Sequence, residues 1–169
     1  DDAARVTFLG GTTKGTAWVG FQKGVGQEAV ALVAEDGTVA SKNHGFQESC
    51  PIGGALGDDL VARCTSVGPT FLLRKLTLES GAVKSATSFG GDGSISFTDG
   101  NGKVNTLLGS ADKLYVGTAP SATSLRINAF DGAGDARTVF ATNAVLTLDS
   151  DATPIMTRDA RGRIIAASP

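Results

Sequence analysis

The stretch Phe71 to Phe97, FLLRKLTLESGAVKSATSFGGDGSISF, decides the fold. An apolar run carrying Arg74 reaches a Glu79-Ser80-Gly81 turn, and a more polar run follows. The cluster Phe89-Gly90-Gly91-Asp92-Gly93 then leads into the alternating Ser94-Ile95-Ser96-Phe97. β-rich runs on either side of a short glycine-bearing turn read as a hairpin. The glycine cluster reads as punctuation between one unit and the next.

Outward from this stretch the same pattern recurs. Four anchor strands stand out: Ala17-Trp18-Val19-Gly20-Phe21, Leu60-Val61-Ala62-Arg63-Cys64, Leu114-Tyr115-Val116-Gly117-Thr118 and Ile164-Ile165-Ala166-Ala167-Ser168. Each follows a polar turn. After the first three come apolar second strands, Glu28 to Ala34, Phe71 to Leu78 and Ser124 to Phe130. Third strands follow at Thr38 to Lys42, Ala82 to Ser85 and Ala136 to Ala141. A strand also precedes each anchor: Ala4 to Leu9, a weakly marked Pro51 to Leu56, Lys103 to Leu108 and Ala152 to Thr157. Arg74 and Arg126 fall at matching places in their strands, which points to structural pairing between units.

Four short strands recurring every 40 to 50 residues or so are the mark of propeller blades. A four-stranded sheet has two faces to bury, and stacking sheet on sheet covers both. The expectation is an all-β, β-propeller-type single domain over 1–169, of about 3.5 four-stranded units at 4–49, 50–97, 98–148 and a partial 149–169. A β-sandwich or another antiparallel repeat is the alternative.

Several of these segments resemble the delta-60 repeat family, a propeller-type repeat of large bacterial proteins. The segments are Thr87 to Gly93 with its Phe-Gly-x-x-Gly step, Leu125-Arg126-Ile127-Asn128-Ala129-Phe130-Asp131-Gly132, and Arg158 to Ala167. The resemblance covers most of 58–169 and loosely 1–57, where His44-Gly45-Phe46 replaces the Phe-Gly step. It implies a fold and transfers no catalytic motif.

Composition agrees. The chain has 169 residues, 23 of them glycine, with 19% charged and 6% aromatic residues. The net charge of −2 leaves no basic face, so nucleic acid is not an expected partner. No apolar run approaches the roughly 20 residues of a membrane-spanning helix. Residues 1–10 read as carrying no signal peptide.

Cys50 and Cys64 flank a Gly-rich turn (Gly53, Gly54, Gly57). As a disulfide they close a hairpin, with a contribution of about 3 kcal/mol, and point to an oxidising compartment; two buried thiols are the alternative. There is no CxxC, and His44 is the sole histidine.

The remaining chemical candidates each have a plain structural reading. His44 with Ser49 and Asp58 lacks a nucleophile elbow and reads as a loop histidine. Gly10 to Thr16 has the wrong order for a phosphate loop, and Gly24-Val25-Gly26 lacks the third glycine of a dinucleotide site. Asp99-Gly100-Asn101, Asp149-Ser150-Asp151 and Asp131 to Asp135 space oxygens as calcium loops do, yet lack the downstream glutamate, and read as turns. Trp18 and Tyr115, at matching places on anchor strands, are the candidate ligand platforms, with blade packing as the competing role.

The count of three units and two strands of a fourth leaves two apolar outer faces. They are covered by another chain or a second copy, by pairing Ala4 to Leu9 with Arg163 to Ala167, or by the rest of a longer propeller. The expected function is therefore a non-catalytic, secreted or surface-exposed bacterial structural or protein-interaction module, with no cofactor. The alternatives are a glycan-binding lectin-like propeller and a fragment of a larger propeller enzyme. The expected location is extracellular, cell-surface or periplasmic.

Overall fold

The structure, a computed structural model, describes residues 5–22, 28–45, 50, 52–65, 70–98, 104–121, 124–137, 145–147 and 155–167. The described chain is all β. Sheet I holds β1 (Arg5–Gly11), β2 (Ala17–Gln22), β3 (Glu28–Val33) and β4 (Val39–Gly45) in sequential order. Sheet II holds β5 (Ile52–Leu56), β6 (Asp59–Thr65), β7 (Thr70–Glu79) and β8 (Ala82–Ser85), with β9 (Ser94–Thr98) also on β7. Sheet III holds β10 (Val104–Gly109), β11 (Lys113–Ser121), β12 (Ser124–Asp131) and β13 (Ala136–Arg137), with β14 (Val145–Thr147) also on β12. Sheet IV is the pair β15 (Ile155–Arg158) and β16 (Ile164–Ala167). The four anchors of the sequence are thus β2, β6, β11 and β16.

The sheets stack through their first strands: β1 lies against β5, β5 against β10, and β10 against β15. Alternation then sends successive side chains of each strand to opposite neighbours. On β2, Trp18 faces sheet II, where it packs with Val30, Leu32, Leu60, Ala62, Cys64 and Leu76. Between sheets II and III lie Leu56, Val61, Phe71, Leu73, Phe89, Leu107, Leu114, Val116 and Phe130. Between sheets III and IV lie Tyr115, Ala129 and Met156. Each fully buried Leu or Val contributes about 1.5–3 kcal/mol, so the stability resides between sheets rather than within them.

Close approach explains two glycine positions. The Phe8 ring lies over Gly20 of its own sheet and Gly53 of the next, where an added Cβ would stand 2.6 Å from the ring. At Gly109 an added Cβ would overlap the Ala55 carbonyl oxygen of the neighbouring strand.

The structure corrects several expectations. The cluster Phe89 to Gly93 does not separate one unit from the next. Ser94 to Thr98, which follows it, returns to β7 as β9, pairing Thr70 to Arg74, while β8 pairs Leu76 to Glu79 of the same edge. The backbone of Lys75 bridges the break, donating to the Gly93 carbonyl and accepting from the Ala86 amide, both at 2.9 Å. The glycine cluster is therefore an excursion within a strand position, and it buries Phe89 against sheet III.

Arg74 and Arg126 do not share a register. Arg74 pairs with Ala62 and Arg126 with Thr118, two positions apart once Leu60 and Leu114 are aligned. His44 lies in β4 opposite Val30 and not in a loop. Among the described residues β1 pairs only with β2 and β16 only with β15, so the expected pairing of Ala4 to Leu9 with Arg163 to Ala167 is not made over 5–9, and Ala4 lies outside the described residues.

Candidate functional site

The turns β1–β2, β5–β6, β10–β11 and β12–β13 gather at one end of the stack, where they enclose a cleft of about 580 Å³. It is lined by the turn residues Thr13, Lys14, Gly57, Asp58, Ala111 and Gly132, with Asp59 and Lys75 at its floor.

The turns owe their shapes to short-range hydrogen bonds. In Thr12 to Thr16 the Thr12 amide donates to the Thr16 carbonyl at 2.8 Å, and the Thr12 hydroxyl accepts from the Lys14 and Thr16 amides. Asp159 to Arg163 repeats this geometry with a carboxylate: Asp159 Oδ1 accepts from the Arg161 and Arg163 amides, both at 2.9 Å. Both turns need a left-handed residue at the fourth position, supplied by Gly15 (φ 73°) and Gly162 (φ 77°). Such a side chain bonding to its own turn offers the backbone an alternative to the ladder and ends the strand.

Two ion pairs line the cleft, one between sheets I and II and one within sheet II. Lys14 Nζ of sheet I meets Asp58 Oδ2 of sheet II at 2.7 Å, and the Thr13 hydroxyl donates to Asp58 Oδ1 at 2.5 Å. The Lys14 ammonium, bonded to Asp58, is held above its ordinary 10.5, and the same bond, with that from Thr13, holds the Asp58 carboxyl below 3.8. Deeper, buried Lys75 places Nζ 3.1 Å from Asp59 Oδ2 and donates to the Gly132 carbonyl at 2.9 Å. Lys75 thus ties sheet II to the β12–β13 turn of sheet III. The cleft offers hydroxyls and two lysine–aspartate pairs, a set suited to hydrogen bonding.

The residues singled out from sequence do not converge here. Trp18 and Tyr115 are both buried between sheets, and Trp18 Nε1 donates to the Asp58 carbonyl at 2.9 Å. Neither ring presents a face to solvent, so in this structure both serve packing and not as open platforms. Cys50 and Cys64 form a disulfide, buried against sheet I. Asp131 Oδ1 accepts from the Ala133 and Asp135 amides at 2.9 and 3.0 Å, which uses its oxygen in the turn itself. Among the described residues no three His, Cys, Asp or Glu gather as a metal site. Asp99-Gly100-Asn101, Asp149-Ser150-Asp151, Gly24-Val25-Gly26 and Ser49 lie outside the described residues, as does the side chain of His44.

The sequence reading missed Lys75. Its signal was legible: in FLLRKLTL, alternation puts Lys75 on the face of Phe71 and Leu73, a lysine on an apolar stripe.

Comparison with known proteins gives the fold and nothing more. The chain is similar to the computationally designed Ika4 protein. The crystal structure of that protein superposes with a TM-score of 0.50 over 97% of this chain and 91% of the other, at 12% identity. No family model and no curated protein matches the sequence.

Proposed function

We propose that the chain is a non-catalytic, β-propeller-type interaction module whose sheets are successive blades and whose two outer faces are protein–protein interfaces. One observation carries this reading. Positions that the stack buries between blades are open on its outer faces. Leu9, Gly53, Leu107 and Met156 occupy one register, opposite Val19, Ala62, Val116 and Ala166. Leu107 and Met156 are 8% and 6% exposed, each covered by the preceding sheet, whereas Leu9 is 69% exposed. Trp18, Val61 and Tyr115 point to the following sheet and are buried; Ile165, at the same position of the last sheet, is 47% exposed.

Apolar faces of this kind mark interaction surfaces. The glycan-binding alternative loses the two rings on which it rested. The Cys50–Cys64 disulfide fits an oxidising compartment, and we place the module outside the cytoplasm, at the cell surface or in the periplasm. The delta-60 resemblance belongs to the same proposal, supported by the recurring sheets and not by a family match.

The test is the mass of the native particle. The wild-type chain is expected to exceed its 17.1 kDa by association, and the double variant Leu9→Asp/Ile165→Asp to fall to that mass. Association that persists unchanged in the double variant refutes the reading.

A further inference from the structure

We infer that the partner on these faces is a second copy of this chain, stacked head to tail, so that the β15–β16 face of one copy covers the β1–β2 face of the next. The inference rests on the reading above and adds the partner and the polarity of the contact.

Each internal interface has a direction. The earlier sheet contributes Trp18 paired with Leu32, Val61 paired with the buried Lys75 and flanked by Leu73, or Tyr115 paired with Ala129. The later sheet contributes Leu60 with Ala62, Leu114 with Val116, or Ile164 with Ala166. The outer face of sheet IV is of the first kind, presenting Ile155, Thr157 and Ile165 by register. The outer face of sheet I is of the second kind, presenting Val6, Leu9 and Gly11 with Phe21, Val19 and Ala17 opposite them in turn. Ile155 and Val6 are exposed like Ile165 and Leu9. The two faces are therefore unlike each other and match the two sides of a contact the chain already makes three times. Apposing a face to its own kind reproduces none of those contacts.

One glycine position agrees with this contact. Gly11 pairs with Ala17 as Gly109 pairs with Leu114, the same register position. Gly109 is required because the preceding strand runs against it, yet a Cβ on Gly11 meets nothing within 4 Å. Gly11 closes β1 as Gly109 closes β10, and it leaves the same room for a preceding strand, although Ala55 and Arg158 hold this register position in sheets II and IV. A head-to-tail contact of this kind is heterologous: it closes into a ring or continues as a filament according to its rotation.

Complementation of single variants tests the polarity. Leu9→Asp disables one face and Ile165→Asp the other, so each alone is expected to run as a single chain in light scattering. An equimolar mixture retains one intact pair of faces and is expected to give a discrete dimer that grows no further. Gly11→Ala, at a position open in the isolated chain, is expected to leave the fold intact and weaken association at least tenfold. Recovery in the mixture shows that both variants are folded. Should either charge variant fail to fold, Leu9→Ser and Ile165→Ser replace them. A wild-type particle of one chain refutes the inference. Association lost in the double variant but not restored by mixing refutes the head-to-tail contact alone and leaves the outer faces as interfaces.

Discussion

Lys75 offers a test of how two sheets are joined, because its two partners are unequally placed. Its side chain is 9% exposed, whereas that of Asp59 is 25% exposed. Removing the carboxylate with Asp59→Ala leaves a buried ammonium with only the Gly132 carbonyl. Stranding one member of a buried pair costs 3–5 kcal/mol, and the partial exposure of Asp59 argues for the lower end, about 3 kcal/mol. Removing the cation with Lys75→Met keeps the buried stem and leaves Asp59 within reach of water. The remaining loss is the bond to Gly132, about 1 kcal/mol. The double variant Asp59→Ala/Lys75→Met should then be more stable than Asp59→Ala alone. Urea unfolding followed by Trp18 fluorescence measures all three. At about 2–4 °C per kcal/mol for a chain of this size, Asp59→Ala should lower Tm by roughly 6–12 °C and Lys75→Met by about 2–4 °C. A double variant as unstable as Asp59→Ala refutes the argument, because the penalty then does not come from a stranded cation.

Other expectations follow from the same geometry. Gly109→Ala should destabilise the chain markedly, since its Cβ overlaps backbone, while Gly11→Ala at the matching register should leave the melting temperature of the dilute chain unchanged. Reduction of Cys50–Cys64, or the Cys50→Ala/Cys64→Ala variant, should cost about 3 kcal/mol in chemical denaturation, as expected for a loop of this length. Asp36, Asp58, Asp92 and Asp159 are held below 3.8, chiefly by bonds from Thr38, Lys14, Ser94 and Arg163 respectively. Lowered carboxylates stabilise the fold above their unfolded value and lose that contribution as pH falls through the folded one; the melting temperature should therefore drop on acidification below about pH 4. Ser80, at φ 52°, is the one non-glycine with positive φ among the described residues. Ser80→Gly should raise the melting temperature by relieving a left-handed residue that costs about 1 kcal/mol.

The sequence made the strands legible where alternation and turn chemistry agreed. Ala82 to Ser85 follows two left-handed residues, Ser80 and Gly81, which suit a tight hairpin, and it forms β8 as read. The Phe89 excursion was misread because a glycine cluster punctuates a strand break and a unit boundary in the same way. Only pairing to β7 distinguishes them, and that pairing is long-range. Arg74 and Arg126 looked equivalent because distance was counted from the start of each strand. Register is set instead by pairing with the anchor strand: Leu60 meets Leu76, two residues past Arg74, whereas Leu114 meets Phe130, four past Arg126. The cleft was invisible for a related reason: its lining comes from turns of three sheets, and none of those turns carries a motif. Trp18 and Tyr115 matched in position, but an aromatic ring at a strand centre carries the same sequence signature whether it packs or binds. Their burial follows from facing the next sheet.

The three internal interfaces share a backbone arrangement and little else. Trp18, the disulfide and Leu60 fill the first, Phe89 and Leu73 with buried Lys75 the second, and Tyr115 with Met156 the third. Stacked sheets tolerate this because each interface needs matched volume and satisfied polar groups, not particular residues. Phe8 over Gly20 and Gly53 shows how one large ring is offset by two glycines across a contact. Variation of this kind leaves little residue identity between the sheets and keeps their strand order and pairing. It also explains how a chain can share an architecture with a designed protein at 12% identity while no family model matches it. The polarity of the interfaces is retained throughout, because it follows from strand order and alternation. A substitution that preserves volume within one interface should thus be tolerated, whereas exchanging the partners across it, for instance Leu73→Val with Val116→Leu, should reveal in a double-mutant cycle how far each contact depends on its own local fit.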